Sequence, residues 1–373
     1  EPMIQQVAEF VKTFLDSGPE VTIQYFSTLR KAHLMKNRIP ERGLNDERHP
    51  GALLVEMIRT HIENVAFGTM SVYMRHLLRE NPTLAAESLV HQTEDFISQE
   101  EKAGNTAFQA CYSLLLGHHV NTVESEILEQ MGMIQLHHGS AGANMVARYL
   151  ATLHTGSVSD FLSASQMTLD GNRHFGAIHD MTHFMNELEP LTPEKRDKAI
   201  QDKVLSGGLP TFGHPEIAAA GRSDEIQQDP RPAIYLAPLF RAIDKGQITL
   251  TDKQREQLAI VQRIYQIAFV EGVVKPGRED DPPLRLTPNT DFGGWSVQEA
   301  LGVYETDRTL LTYIFRGFGW MLDVREQLQQ KIIRPVISPD PRIIPTPTAD
   351  RTIPQVVVTV HNRLVQGDAF AAH

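Results

Sequence analysis

The sequence predicts a mostly α-helical protein, and three observations support this fold class. Apolar residues recur with helical spacing, as in the stripe formed by Leu54, Ile58, Ile62 and Val65. Helix starts are marked by capping sequences, whereas β-rich segments are few and short. Strands and helices do not alternate repeatedly along the chain, so a doubly wound sheet is not expected.

Further helix signals follow in order along the chain. Pro193 comes directly after Thr192, which predicts a helix with proline in its first turn. Residues 251–254 and 296–299 both match the capping box, in which side chains satisfy the free backbone donors of the first turn. A second apolar stripe runs through Leu258, Val261, Tyr265 and Ala268.

Two segments interrupt the helical pattern. Residues 247–250 and 356–360 are β-rich, so each predicts a short, isolated strand. Prolines cluster between residues 335 and 354, and this composition predicts an extended carboxy-terminal arm rather than a helix.

Composition narrows the classes of function. The 373 residues are enough for one to three domains, and 41 % of them are hydrophobic, which is enough for a sizeable core. The net charge of −11 argues against non-specific nucleic-acid binding but allows local arginine pockets for small anions. No apolar run reaches the roughly 18–20 residues of a membrane span, and we expect neither a membrane partner nor a signal peptide.

The single cysteine, Cys111, excludes an intrachain disulfide between two cysteines. Its apolar neighbours favour a core thiol over a nucleophile. One cysteine fits a reducing compartment, so we expect a cytoplasmic protein.

A run of histidines gives the first functional hypothesis. His179 and His183 are four residues apart, so a helix would place them on one face, with Asp180 where a zinc protease carries glutamate. His174 precedes them. A metal-dependent hydrolase is therefore one interpretation. The alternative, which we favour, is that these are ordinary polar residues of a helix and that the chain holds no metal.

Several loop motifs give the second lead. Residues 209–214 present a histidine after a tight Pro/Gly turn, and residues 229–231 read Asp-Pro-Arg. Residues 288–294 frame Asp291 with proline, asparagine and two glycines. Arg316 and Arg334 follow, the latter before a proline. Each motif is weak on its own, because a single loop arginine or aspartate is usually solvated.

Taken in order, these motifs resemble the citrate synthase family. The resemblance covers roughly residues 135–335 and is carried by the following segments: Gln135-Leu136-His137-His138-Gly139, Asn172-Arg173-His174-Phe175-Gly176-Ala177, Phe212-Gly213-His214, Asp229-Pro230-Arg231, Asn289-Thr290-Asp291-Phe292, Arg316 and Lys331-Ile332-Ile333-Arg334-Pro335. The ordered combination is far more specific than any one part.

The resemblance implies a Claisen-type condensation of an acyl-CoA with a 2-oxo acid. Asp291 would be the base that removes the proton beside the thioester carbonyl. His174 would donate a hydrogen bond to the thioester oxygen, and His214 would polarise the ketone and protonate the new alkoxide. Water would then hydrolyse the thioester.

The resemblance also implies the binding residues. Arg231, Arg316 and Arg334 would bind the carboxylates of oxaloacetate, with His138 as a further contact. Phe212, Gly213 and Asn289 would contact CoA, which is a co-substrate rather than a permanently bound cofactor.

The implied fold is an all-α homodimer with two domains per subunit. Residues 1–172 and 298–373 would form the large helical domain, and residues 173–297 a small lid domain that binds CoA. Lid closure would exclude water until condensation is complete. Arg334 would cross the dimer interface and complete the partner's site.

The sequence departs from the family pattern near the predicted site. His138 is followed by Gly-Ser-Ala where the family has Glu-x-Asn, Phe175 replaces a glycine, and an insertion covers residues 215–228. Arg173 adds a charge beside His174. We therefore expect a divergent member, with another 2-oxo acid or acyl-CoA left open. The alternatives are a 2-methylcitrate synthase that uses propionyl-CoA, a citryl-CoA lyase, a catalytically silent homologue and the metal-dependent hydrolase.

Overall fold

A computed structural model shows that the chain is all-α, as the sequence predicts. The structure describes residues 2–14, 50–136, 142–153, 157–169, 176–213, 229, 231–271, 274–275 and 284–328. The helices before the Thr211–Gly213 loop are α1 (Pro2–Phe14), α2 (Pro50–Glu80), α3 (Ala86–Lys102), α4 (Ala107–Leu116), α5 (Thr122–Gln135), α6 (Gly142–Leu153), α7 (Val158–Leu169), α8 (Gly176–Leu188) and α9 (Pro193–Ser206). Those after it are α10 (Arg231–Asp244), α11 (Asp252–Tyr265), a π-helical turn (Gln266–Val270), α12 (Thr290–Ala300), a 3₁₀ turn (Glu305–Asp307) and α13 (Arg308–Gln327).

Helix α13 is buried on most of its sides and packs against α2, α5 and α6. Gly317 permits this close packing, because a Cβ there would lie 2.1 Å from the ring of His61 on α2. The Nε2–H of His61 donates to the carbonyl oxygen of Ile314 at 2.8 Å. Burial lowers the pKa of His61 to about 4, so the ring is neutral at physiological pH. Helix α13 is thereby held in a fixed rotation about its axis.

A second set of contacts fixes helix α12, which packs against α8, α10 and α11. Gly293 is required at the contact with α10, since a Cβ there would lie 2.3 Å from the ring of Tyr235. On another face of α12, the Nε1–H of Trp295 donates to the Thr182 hydroxyl at 2.9 Å. The amino end of α12 is therefore positioned by packing and by polar contacts.

Two of the three predicted helix starts are confirmed. Thr251 and Gln254 form the reciprocal capping box of α11, and Pro193 begins α9. The predicted start at Ser296 is wrong, because α12 already begins at Thr290 under the cap of Asn289. The Ser296 hydroxyl instead donates to the carbonyl of Phe292 one turn earlier, at 2.8 Å.

The predicted strand at residues 247–250 is also wrong. Ile248 and Leu250 are buried, but the segment follows the turn after α10 as a bend and irregular backbone. The ladder that the described residues contain pairs β1 (Val274–Lys275) with β2 (Leu284–Arg285) in antiparallel register. Residues 335–354 and 356–360 lie outside the described residues. The division into a large domain and a lid at residues 173–297 stays a prediction.

None of the described helices is both long and apolar enough to span a membrane.

Candidate active site

The site is organised by the loop that precedes helix α12. The side chain of Asn289 caps this helix, since its Oδ1 accepts from the backbone N–H of Asp291 at 2.9 Å. Its Nδ2 donates to the carbonyl of Gly213 at 3.1 Å. Backbone hydrogen bonds from Gly213 to Thr287 and from Asn289 to Thr211 complete the junction. Two loops that are far apart in sequence therefore meet at the amino end of α12.

The backbone of this junction is strained. Thr211 has a φ of 62°, a conformation that is unfavourable for a β-branched residue. Gly213 has a φ of 81°, where glycine is tolerated without a steric penalty. Such strain persists only where surrounding contacts impose it, and it clusters at functional sites.

Arg231 and Asp229 form an ion pair at the start of helix α10. The guanidinium Nε of Arg231 donates to Asp229 Oδ1 at 2.8 Å, and Nη2 donates to Oδ2 at 2.7 Å. Asp229 is buried, whereas Arg231 is partly exposed. This pair raises the pKa of Arg231 and fixes one edge of its guanidinium, so that only the opposite edge is available to a ligand.

Arg316, on helix α13, has a different environment. It is 4 % exposed, and its Nε and Nη1 have no hydrogen-bond partner among the described residues. Burial lowers its pKa to about 10, and the negative charge of Asp291 opposes that shift. A buried guanidinium with unused donors is costly unless an anion binds it.

Asp291 lies in the electrostatic field of both arginines. The residue is partly exposed, but the surrounding protein removes hydration from its carboxylate. This desolvation raises the pKa of Asp291 to about 6, although Arg316 and Arg231 act in the opposite direction. Asp229 adds to the upward shift. A carboxylate with such a pKa is a competent general base near neutral pH.

Tyr235 holds Thr290 at the start of helix α12, and it was not among the residues that the sequence predicted for the site. Its hydroxyl donates to the backbone carbonyl of Thr290 and lies 2.8 Å from the Thr290 hydroxyl. Burial raises the pKa of this tyrosine, so it stays neutral. The two consecutive glycines at 293 and 294 are the sequence feature that could have indicated this close contact, because Gly293 lets Tyr235 approach α12.

An apolar pocket adjoins the charged cluster. It has a volume of about 420 Å³ and lies between helices α10 and α11. Asp229 and Phe292 form its boundary with the site, and Leu236, Phe240 and Tyr265 contribute apolar walls.

Comparison with known families shows which family the chain belongs to. A family model described as citrate synthase, C-terminal domain, matches residues 5–336. The chain belongs to the citrate synthase family. A search of curated proteins gives no match.

A solved structure agrees on the fold. This citrate synthase family member is similar to a ternary complex of citrate synthase from the thermophilic archaeon Thermoplasma acidophilum with carboxymethyl coenzyme A and oxaloacetate, at 15 % identity and a TM-score of 0.50, over 81 % of this chain and 76 % of that one. Two further matches are citryl-CoA lyase from Hydrogenobacter thermophilus (19 %, TM-score 0.48, covering 69 % and 91 %) and citrate synthase from Pyrobaculum aerophilum (17 %, TM-score 0.49, covering 96 % and 81 %).

The described residues bring together six of the residues that the sequence predicted for the site. Asp291, Arg231 and Arg316 form the charged cluster, and Phe212, Gly213 and Asn289 form the junction beside it. The remaining predicted residues lie outside the described residues: His138, His174, His214 and Arg334, together with Arg173. The roles of all ten predicted site residues stay predictions.

The metal hypothesis gains no support from the structure. His179 and His183 lie on helix α8, as predicted, but both are exposed. Among the described residues, no group of three or more His, Cys, Asp or Glu is arranged to hold a metal ion.

Burial raises the pKa of Cys111 to about 11, so its thiol is protonated and a poor nucleophile at neutral pH.

Proposed function

We propose that this citrate synthase family member condenses a short acyl-CoA, such as acetyl-CoA, with oxaloacetate or a related 2-oxo acid. It then hydrolyses the thioester and releases CoA. The observation that carries this proposal is the environment of Asp291. A carboxylate whose pKa is raised to about 6 lies in the field of two arginines at the start of a helix. This arrangement combines a base and an anion site, and the reaction requires both.

Asp291 takes a proton from the carbon beside the thioester carbonyl in the first step. The electron pair left on that carbon delocalises onto the thioester oxygen, which His174 stabilises with a hydrogen bond. The resulting enol or enolate forms a carbon–carbon bond to the ketone carbon of the 2-oxo acid. His214 protonates the alkoxide that results. Water then cleaves the thioester, leaving a carboxylic acid and free CoA.

The two described arginines bind the 2-oxo acid in different ways. Arg316 offers unused donors in a buried position, so it binds a carboxylate most strongly. Arg231 is held by Asp229 and presents its outer edge. Arg334 and His138 complete the anion site according to their positions in the family motif.

The acyl-CoA lies on the side of the Thr211–Gly213 loop. Asn289 donates a hydrogen bond to Gly213 and accepts one from the backbone of Asp291. Phe212 and Gly213 are therefore held close to the base. The adjoining apolar pocket borders Phe292 and provides a surface for the uncharged part of the CoA arm. Residues 173–297 form the lid in this proposal.

A homodimer is the assembly that we propose. On helix α6, Met145, Tyr149 and Leu153 are spaced by four residues and are 39 %, 45 % and 43 % exposed. Met167 on the neighbouring helix α7 is 61 % exposed. An exposed apolar stripe of this kind is typical of a surface that a second copy covers. Light scattering of wild type and Tyr149→Glu tests this assembly, since a charge in that stripe would give monomers.

A thiol-release assay tests the reaction. Purified protein is mixed with acetyl-, propionyl- and butyryl-CoA, each paired with oxaloacetate, pyruvate and 2-oxobutyrate, and free CoA is measured. We expect at least one pairing to release CoA. Asp291→Asn should reduce that rate about 10²–10⁴-fold, the usual contribution of a general base. Asp180→Asn, an exposed aspartate on helix α8, is the matched control and should keep the wild-type rate.

Two results would contradict the proposal. If no pairing releases CoA, the chain is not a synthase for these substrates. If CoA is released but Asp291→Asn keeps the wild-type rate, Asp291 is not the base.

A further inference from the structure

The apolar pocket between helices α10 and α11 is large enough and open enough to hold a ligand. Its volume is about 420 Å³. An apolar cavity of roughly 150 Å³ already holds a ligand of the size of benzene, so this pocket has room for a larger apolar group. Three of its lining residues, Ala233, Gln262 and Gln266, are exposed. The pocket therefore opens to solvent, and a ligand can enter it.

The walls of this pocket favour an apolar ligand. Leu236 and Phe240 on α10 and Tyr265 on α11 are only partly buried, so a ligand would remove more of their apolar surface from water. Asp229 is the charged residue of the lining, and both of its carboxylate oxygens accept hydrogen bonds from Arg231. The pocket therefore offers burial to an apolar group and no free charge to a polar one.

One end of the pocket adjoins the candidate base. Phe292, which follows Asp291 directly in the chain, lines the pocket, and so does Asp229, which acts on the pKa of Asp291. From Pro232 the lining continues along α10 to Phe240, a distance of about 12 Å at a rise of 1.5 Å per residue. The pocket thus extends along α10, away from the charged cluster.

Helix α11 ends in an uncommon way at this pocket. It passes directly into the π-helical turn, and the two residues at that boundary, Tyr265 and Gln266, both line the pocket. Such turns are rare and frequently occur at functional sites. The ring centroid of Tyr265 lies 6.3 Å from that of Phe292. The π-helical turn and the residue that follows the base therefore border the same space.

The proposed condensation requires a space of this kind for any acyl group longer than acetyl. The carbon that loses its proton to Asp291 then also carries the rest of the chain. This carbon bonds to the ketone carbon of the 2-oxo acid, so the chain becomes a branch of the product. An apolar branch is poorly accommodated between the carboxylates and the guanidinium groups of Arg231 and Arg316, because it would displace their polar partners. It needs an apolar space beside the base.

We propose that the pocket between α10 and α11 binds the acyl chain, and that the protein prefers a linear acyl group of four to six carbons over acetyl. This inference rests on the proposed function and narrows its acyl-CoA. Each methylene group that the pocket buries contributes about fourfold to binding, so affinity rises with chain length until the pocket is filled. Within the uncharged part of the acyl-CoA, the chain matches these apolar walls better than the amide groups of the arm do.

A chain-length series in the thiol-release assay tests this preference. Acetyl-, propionyl-, butyryl- and hexanoyl-CoA are compared with one 2-oxo acid that supports thiol release. With wild type, we expect kcat/KM to rise along the series, so that the value for hexanoyl-CoA exceeds that for acetyl-CoA at least about 30-fold.

Two matched variants locate the preference in the pocket. Ala233→Phe adds a ring at the pocket and should reduce the ratio of hexanoyl-CoA to acetyl-CoA in kcat/KM to about three or less. Ala237→Phe adds the same ring one turn later on α10, at an exposed position outside the pocket lining. It should keep the wild-type ratio.

Leu236→Gln provides an independent variant, because it keeps a long side chain but places an amide in the apolar wall. We expect the ratio of hexanoyl-CoA to acetyl-CoA to fall at least about fivefold. The rate with acetyl-CoA should stay within about twofold of wild type, which shows that the fold and the charged cluster are kept.

The outcomes separate this inference from the proposed function. Thiol release without a rise along the series, or a preference for hexanoyl-CoA that Ala233→Phe leaves intact, would overturn the acyl pocket and leave the synthase proposal standing. If no acyl-CoA is turned over, the synthase proposal fails, and titration calorimetry with acetyl- and hexanoyl-CoA decides on the pocket. Tighter binding of hexanoyl-CoA that Ala233→Phe abolishes and Ala237→Phe keeps supports the acyl pocket, and equal binding of the two thioesters to wild type rejects it.

Discussion

Two arginines on helix α13 are both almost completely buried, yet the protein treats them differently. Arg308, which is 3 % exposed, donates to the Thr182 hydroxyl, the carbonyl of Val303 and the carboxylate of Glu299, and it lies over the ring of Trp295. Arg316, eight residues later, is 4 % exposed and has two nitrogens without a partner among the described residues. The comparison distinguishes an arginine that joins helices from one that is available to a ligand.

The difference follows from what lies opposite each arginine. The protein places a carboxylate, a hydroxyl and an aromatic face around Arg308, which compensates its lost hydration. Arg316 instead interacts electrostatically with Asp291, whose pKa is raised, and makes no hydrogen bond through Nε or Nη1 to the described residues. Arg316 therefore keeps unused donors, whereas each guanidinium nitrogen of Arg308 has a partner.

The largest expected effect is on stability, at the paired arginine. Arg308→Met should lower the free energy of unfolding by about 3–5 kcal/mol, because it leaves Glu299 without its buried partner. Urea unfolding followed by circular dichroism measures this loss. A loss below about 1 kcal/mol would mean that the pairing around Arg308 does not hold the helices together.

The matched change at the unpaired arginine should affect activity instead. Arg316→Met should reduce kcat/KM for thiol release about 10²–10³-fold, because the carboxylate of the 2-oxo acid loses its buried cation. The free energy of unfolding should stay within about 1 kcal/mol of wild type or rise, since the change removes two buried donors that have no hydrogen-bond partner among the described residues. Equal losses in the free energy of unfolding for both variants would contradict the claim that Arg308 stabilises the fold and Arg316 binds a ligand.

Asp291 gives the comparison a pH dependence. Its pKa is about 6 in the folded protein, above the usual value of about 3.9 for an unfolded chain. The folded state therefore holds this proton more tightly, so its contribution to stability is full below pH 4 and is lost as pH rises through 6. The loss is at most about 3 kcal/mol.

Comparing wild type with Asp291→Asn isolates this contribution in urea titrations between pH 4 and 7. The difference in stability between the two proteins should shift in favour of the variant as pH rises. His61, whose lowered pKa makes stability fall towards acid pH, contributes equally to both and cancels. A difference that does not change with pH would contradict the raised pKa of Asp291.

The smallest expected effect is at the cap of helix α12. Asn289→Ala removes the side chain that caps Asp291 and contacts Gly213, and should cost about 1 kcal/mol of stability. Activity should fall by more than stability predicts, because the loop and the base lose their common anchor. Thr251→Ala, at the cap of α11, is the control and should lose stability without a comparable loss of activity.

Local signals in the sequence predict much of the fold. The helix starts at Thr251 and Pro193 depend only on residues within the first turn of each helix, so the sequence alone predicts them. Ser296 fits the same pattern, but an asparagine earlier in the chain caps the helix and Ser296 falls inside it. Residues 247–250 have strand-like composition, yet Ile248 and Leu250 are buried without forming a ladder.

The candidate site is only partly predictable in this way. The motif order identifies Asp291, Arg231 and Arg316, because each lies in a recognisable segment. Sequence cannot reveal that Arg231 is paired while Arg316 is not, since that difference depends on helices far apart in the chain. Tyr235 escaped prediction for the same reason: it belongs to no recognised motif, and tertiary packing alone brings it to the site.

Deuterium exchange tests the central claim, that Asp291 removes a proton from the acyl-CoA, most directly. The protein is incubated in D₂O with an acyl-CoA that supports thiol release and with the 2-hydroxy acid that corresponds to its 2-oxo acid. This acid has no ketone carbon to capture the enolate, so the enolate can only take up a deuteron again. Mass spectrometry then measures deuterium at the carbon beside the thioester carbonyl. The account predicts incorporation with wild type and with Asp180→Asn, and a rate at least about 100-fold lower with Asp291→Asn. Equal incorporation by Asp291→Asn and wild type would contradict it.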